Sequence, residues 1–225
     1  VAGSVSSGSS TLRFDYVEIT YSSRDRFEME SPNPDTRYAQ DFVGEIFGLG
    51  YDDATDSDAR SVVGTVRFSL IDVYEADEAL IEALDARSAE WINSYSEIAR
   101  RLIDGDDPEL FGLRRLLIVD EMELRPEVRG HGLGLHVLSR VVRSWGSDAA
   151  TVLVASPLGS EGQDELGSEA LVGYWSRLGF ELFGGETEEA VLLGNGARED
   201  FWSKIVAASV WEGSAEGTGR EDPTT

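Results

Sequence analysis

The sequence predicts an α/β protein built on one mixed sheet flanked by helices. Three observations lead there. The early segments alternate apolar and polar residues as strands do, the stretch from Ala76 to Asp104 repeats its apolar residues at helical spacing, and the C-terminal half interleaves short apolar runs with helical ones. Strands, then helices, then strand, helix, strand, helix and two strands are the order expected of a mixed sheet with helices on its faces.

The segment TLRFDYVEITY, residues 11–21, reads as a strand because its β-branched and aromatic residues fall on alternate positions. FVGEIFGLGY and SVVGTVRFSLIDVY read as two further strands forming a hairpin, with the acidic DDATDSDA as the turn or surface loop between them. EADEALIEALDARSAEWINSYSEIARRLID reads as two helices broken near Arg87 and Ser88, and Asp107 with Pro108 ends them. LRRLLIVDEMEL, Leu113 to Leu124, is a strand stopped by turn chemistry at Pro126. Helical spacing resumes at Gly132 and runs through LGLHVLSRVVRSWG, with Gly146 as its stop. ATVLVASP is then a short strand, GSEGQDELGS a loop, SEALVGYWSRLG a helix ending at Gly179, and FELFGG with AVLLG a strand pair around the GETEE turn.

Residues 1–10 are rich in Ser and Gly and residues 212–225 are small, polar and acidic, so both are expected to be flexible, with a single domain over 11–211. No run of about 18 apolar residues occurs, and the opening VAGSVSSGSS lacks the basic flank and apolar stretch of a secretion signal. A soluble, cytoplasmic protein without a membrane partner is the expectation. There is no cysteine, so disulfides, thiolate nucleophiles and thiolate metal sites are excluded, and two histidines are too few to suggest zinc.

The 43 acidic residues outnumber the 19 basic ones and give a net charge of -24. Such a surface repels a phosphate backbone, so nucleic acid is not an expected partner. Of the basic residues only Lys204 is lysine. Dense carboxylates with almost no lysine and no cysteine resemble the proteins of salt-accumulating halophiles, in which molar salt screens self-repulsion beyond about 3 Å. An acidic protein from a GC-rich genome would share part of this bias.

Strand, tight turn, glycines and helix start follow one another directly between Leu113 and Trp145. A helix's first turn offers backbone N–H groups and a partial positive charge to an anion. The glycines of RGHGLG, at 130, 132 and 134, let the backbone approach that anion and adopt positive φ, while Arg129 can add a charge-assisted bond. A Walker A loop needs a lysine that the segment lacks, and in a dinucleotide GxGxxG the third glycine would stand one residue later than Gly134.

The stretch LRPEVRGHGLGLHVL, with Pro126, Glu127, Arg129, Gly132 and Gly134, resembles motif A of the GNAT superfamily, whose strand leads through RxxGxG into a helix. About forty residues on, SEALVGYWSRLGFELF resembles the superfamily's second signature, with Ala170, Leu178, Gly179 and Phe180 in register. The two signatures cover roughly a third of the chain. The resemblance implies a GNAT-type mixed central sheet whose strands splay at a cofactor cleft. It implies acetyl-CoA as the acyl donor, its pyrophosphate on Arg129, Gly130, His131, Gly132, Leu133 and Gly134, its pantetheine arm flanked by Glu123 and Leu124, and Ser168 beside it at the start of the second signature's helix. The activity implied is N-acetyl transfer to a primary amine of a small molecule or a protein, with homodimerisation left open and no resident metal.

Transfer by direct attack needs a base and usually an acid. Asp120, Glu121 and Glu123 lie on the strand before the loop, where the resemblance implies a carboxylate acting through water. Regular alternation places Glu121 and Glu123 on one face and Asp120 on the other. The same three residues also fit a plain solvated strand end. The usual tyrosine position is taken by Trp175, which cannot donate that proton, and Tyr174 stands one residue earlier, about 100° round an ideal helix. A non-catalytic acyl-CoA-binding sensor of the same fold is therefore the alternative. His131 reads as solvent-facing and His136 as packed on its helix; Trp91, Trp145, Trp202 and Trp211 read as packing residues.

The charge composition generates the first test. Raising KCl from about 0.1 M to about 2 M should raise the thermal unfolding midpoint by several degrees, followed by circular dichroism; a midpoint that is flat or falls would remove the halophilic reading.

Overall fold

The computed structural model describes residues 16–24, 39–52, 57–73, 89–105, 107–108, 110–155, 165–183 and 190–210. The start of the first expected strand, the first of the two helices expected after Ala76, the GETEE turn and both terminal segments lie outside them. In chain order the elements are β1 (Tyr16–Arg24), β2 (Ala39–Asp52), β3 (Ser57–Asp72), α1 (Ala89–Asp104), β4 (Arg115–Leu124), α2 (Leu133–Trp145), β5 (Ala149–Val154), α3 (Glu165–Ser176), β6 (Glu181–Leu182), β7 (Val191–Asn195) and α4 (Glu199–Ala208). The strands form one seven-stranded sheet in the order β1-β2-β3-β4-β5-β7-β6. β4 and β5 pair in parallel and the other neighbours antiparallel, which gives the mixed sheet with flanking helices that the element order predicted. No described helix is long and apolar enough to cross a membrane.

Much of the expected acidic turn between β2 and β3 belongs to the strands. β2 runs to Asp52 and β3 already starts at Ser57, because the hairpin ladder continues through Tyr51↔Asp58 and Asp52↔Ser57. A final helix, α4, was not anticipated. Its signals are present in the chain: Glu199 and Asp200 in the first turn, where the helix dipole favours acids, and Phe201 and Ile205 four apart on a buried face.

Strand alternation sorts the core into two faces. On one, Phe42 and Ile46 of β2, Val66 and Phe68 of β3, and Leu117 and Val119 of β4 meet Val137, Leu138, Val141 and Val142 of α2. On the other, Ile71, Leu116, Ile118 and Val152 meet Tyr95, Ile98, Ala99 and Leu102 of α1. Trp145, at the end of α2, packs onto Phe42 at 4.6 Å and Tyr21 at 6.2 Å between ring centroids, closing an aromatic cluster with Phe68 over β1 to β3. Burial pushes the Tyr21 phenol up to about 12, so it is a packing group that stays protonated.

The β3–β4 register carries one extra residue. Phe68 pairs with Val119 but Arg67 pairs with Glu121, so Asp120 is a bulge. The bulge inverts the parity of the strand, and Met122 and Leu124 continue the core face of Leu117 and Val119. Without it Glu121 and Glu123 would point into that core.

The outer end of α2 docks onto α4. His136 Nδ1 donates to the Ala208 carbonyl at 3.1 Å, and Arg143 Nη1 donates to Ser209 Oγ at 2.9 Å. His136 is 5% exposed, packed as the sequence suggested. Desolvation, assisted by the nearby Arg140 charge, lowers its pKa below the usual 6.5. The unfolded chain takes up a proton as pH falls through 6.5 while the folded chain does not, so this contribution is complete above 6.5 and is lost towards the lower folded value. Urea titrations between about pH 7.5 and about pH 5.5 should show stability falling with pH in the native protein and a shallower slope in His136→Leu. Equal slopes would show that the ring does not titrate differently on folding.

Candidate functional site

The site begins where β4 and β5 part. Their parallel ladder runs from Arg115↔Ala149 to Val119↔Leu153 and stops. β4 then continues to Leu124 paired with β3, while Val154 of β5 pairs with Val191 of β7. Pairing between the two strands therefore stops at the bulge, the point where the splay was expected, one residue before β5 itself ends. Beyond it the Arg125 amide donates to the Val63 carbonyl at 2.9 Å, and residues Pro126–Val128 form a single 3-10 turn, preset by the fixed φ of proline.

The glycine loop follows. Arg129 Nε donates to the Leu124 carbonyl at 2.8 Å and ties the loop's first residue to the strand's last. Gly130 and Gly132 have φ of 83° and 78°, and a Cβ on either would meet nothing within 4 Å. Glycine is needed there for backbone conformation, not for space. Gly132 is the N-cap of α2 and supplies no side-chain cap, so the first-turn amides are left for other acceptors. The first intrahelical bond runs from the His136 amide to the Gly132 carbonyl. The amides of Leu133, Gly134 and Leu135 come before it. Leu133 is buried under the turn and His131 is exposed beside it.

Gly134 has a different reason to be glycine. A Cβ there would lie 2.9 Å from Tyr174 Oη and 3.6 Å from Trp175 Cη2. Tyr174 reaches from α3, and its oxygen accepts from the Leu135 amide at 3.1 Å and lies against Gly134. The ideal-helix offset between Tyr174 and Trp175 does not keep either away, since both rings pack at the α2 turn, 4.7 Å apart and edge to face. Burial raises the Tyr174 pKa and the Leu135 amide bond partly offsets it, so the hydroxyl stays protonated at neutral pH.

The carboxylates lie upstream on the strand. Glu121 Oε2 is 3.0 Å from Arg67 Nη1, its direct cross-strand partner. Glu123 is exposed and pairs with Thr65, in a cross-sheet row that continues through Glu45 to Thr20. Neighbouring strands are about 4.8 Å apart, so Glu45 and Glu123 stand roughly 10 Å from each other across a threonine. Ser168 does not cap its helix. α3 starts at Glu165, so Ser168 is its fourth residue, because helix formation extends back through ELGS, the end of the stretch read as loop. Leu124, Arg129 and the turn from Gly130 to Gly134 are thus one continuous feature, and Tyr174 joins it through a contact spanning 39 residues that local sequence pattern does not reveal.

No family model matches the chain, and no curated protein matches it. Among solved structures, the chain is similar to one in the KacTA–DNA complex, with 12% identity over 84% of this chain and 97% of that one and a TM-score of 0.38. It is also similar to a Drosophila melanogaster polyamine N-acetyltransferase, described as forming N-acetylagmatine, with 16% identity over 68% of this chain and 71% of that one and a TM-score of 0.36. At such TM-scores neither likeness bears on function, and the strand order, register and loop geometry carry the argument.

Because Gly132 sits in open space at positive φ, Gly132→Ala should cost about 1–2 kcal/mol of unfolding free energy from backbone strain alone, measured by urea denaturation. A neutral substitution would mean the turn relaxes to another conformation.

Proposed function

We propose that the protein is an N-acetyltransferase that uses acetyl-CoA and a primary amine, with the turn from Arg129 to Gly134 holding the coenzyme's pyrophosphate. The observation that carries this reading is the set of first-turn α2 amides, given no cap by the N-cap residue Gly132 and placed directly after the point where the β4–β5 ladder stops. Coenzyme A supplies a thioester carbonyl open to attack by an amine, with the thiol as leaving group. The residues fit such a donor. Positive-φ glycines open the turn to phosphate oxygens, Arg129 adds a cation at its edge, and among the described residues the last residues of β4, Glu123 and Leu124, pair with no strand on the β5 side. Backbone groups fixed in a sheet contribute by positioning and by stabilising developing charge without reorganising.

An alkylammonium acceptor has to lose protons before and during attack, and a carboxylate at the strand end suits that work. Of Glu121 and Glu123 we favour Glu123. Glu121 is engaged by Arg67, whereas Glu123 is exposed and shares a surface row with Glu45 that would also attract a cationic amine. Tyr174 is the phenol within reach of the loop, and to protonate the leaving thiolate it has to leave the Leu135 amide. That engagement, together with Trp175 at the usual tyrosine place, favours the second reading, a module that binds acyl-CoA without turning it over.

Calorimetry with acetyl-CoA, followed by a thiol-release assay over a panel of amines in molar KCl, separates the two. Binding with turnover supports the enzyme, binding without turnover on any amine supports the sensor, and no binding removes both. For the enzyme, Glu123→Gln should lower kcat by about 100-fold or more with the KM for acetyl-CoA little changed, while Glu121→Gln should act mainly through the lost Arg67 contact. The reverse ranking would assign the base to Glu121.

A further inference from the structure

An inner amide of the α2 turn already has an acceptor, and it belongs to the protein. Tyr174 Oη accepts from the Leu135 nitrogen at 3.1 Å and sits directly against Gly134, so it occupies the place a phosphate oxygen would take at this turn while the phenol is seated. We propose that Tyr174 is a self-occupying plug of this anion site, which a phosphate-bearing ligand must displace from the Leu135 amide in order to bind. The inference rests on the reading of the loop as a coenzyme A site and concerns how that site is filled.

Three features support displacement rather than a permanent cap. The phenol is a neutral acceptor, whereas phosphate is charged; charge-assisted hydrogen bonds are roughly twice as strong and the helix dipole adds to the preference. The exchange therefore runs in the ligand's favour. The seat is also specific to this side chain. Gly134 does not need positive φ, and a Cβ would stand 2.9 Å from Tyr174 Oη, so this glycine, poor inside a helix by about 1 kcal/mol, makes room for the hydroxyl. Finally, the ring is not enclosed on all sides. It rests edge-on against Trp175, with the Arg177 guanidinium 5.9 Å from its centroid, and is only partly buried.

Competition by one neutral hydrogen-bonded group should weaken the ligand by a factor of about 2 to 10. Calorimetric titration of the full chain with coenzyme A is expected to give a Kd for Tyr174→Phe that is lower than that of the native protein by this factor. An unchanged or higher Kd, with binding retained in both, would overturn the plug and leave the coenzyme reading standing. Absence of binding in both proteins would overturn the coenzyme reading and the plug together. Amide hydrogen exchange adds a readout independent of affinity. The amide of Leu135 should exchange faster in Tyr174→Phe than in the native protein when no coenzyme is present, and saturating coenzyme A should bring the two to the same protection. Equal exchange before coenzyme is added would show that the phenol does not hold the amide and would likewise overturn the proposal.

Discussion

One extra residue in β4 governs the geometry of the functional half. Up to Val119 the strand is held on both edges, by β3 and by β5. At Asp120 the bulge adds a residue that the β3 register skips, and bulges increase local twist. From there, among the described residues, β4 pairs with β3. The same residue changes which side chains face the core, sending Met122 and Leu124 inward with Leu117 and Val119 and placing Glu121 beside Arg67. Regular pairing of the same sequence, with Asp120 kept in the ladder, would drive Glu121 and Glu123 into the apolar face that α2 covers, a cost of several kcal/mol for each unpaired charge. The end of the β4–β5 ladder and the change in which side chains face the core thus coincide at one residue.

The turn after β4 is the second consequence. A strand released from one neighbour has to be redirected into a helix within a few residues, and the chain does so with a proline-led 3-10 turn, an arginine bound back to the Leu124 carbonyl and two glycines at positive φ. Each device fixes the backbone without placing a side-chain oxygen over the helix start. An ordinary serine or aspartate N-cap would have filled that place. What the turn lacks in a local cap it receives from α3 through Tyr174, so stability of the helix start and access to its amides are set by the same phenol.

Much of this architecture was legible in the chain. The limits of α2 followed from Gly132 and Gly146, the strand from Leu113 to Leu124 from its apolar run, and the mixed sheet from the order of elements, since each signal is local and periodic. The bulge was not. In VDEMEL the charges fit either parity, and only the pairing with β3 reveals that Asp120 is extra. The start of α3 was placed three residues late because Gly167 interrupts a pattern that the helix in fact tolerates. α4 escaped notice for being short and followed by small polar residues, although it anchors α2 through His136 and Ala208. Long-range contacts such as Tyr174 with Leu135 leave no periodic trace at all.

The overall charge makes the choice of backbone donors meaningful. A polyanionic ligand approaching a chain of net charge -24 is repelled at a distance, and a lysine-rich pocket that would offset this is not available to a protein with one lysine. In molar salt the repulsion is screened to about 3 Å, but so is any attraction that a distant arginine could provide. What survives at that range is direct contact. Amide N–H groups of a helix turn make such contacts with no net charge, and a guanidinium fixed at the turn's edge by the Leu124 carbonyl adds one more. Under those conditions the hydrogen bond between Tyr174 and the Leu135 amide acts at the same short range as the contacts a phosphate would make at the loop.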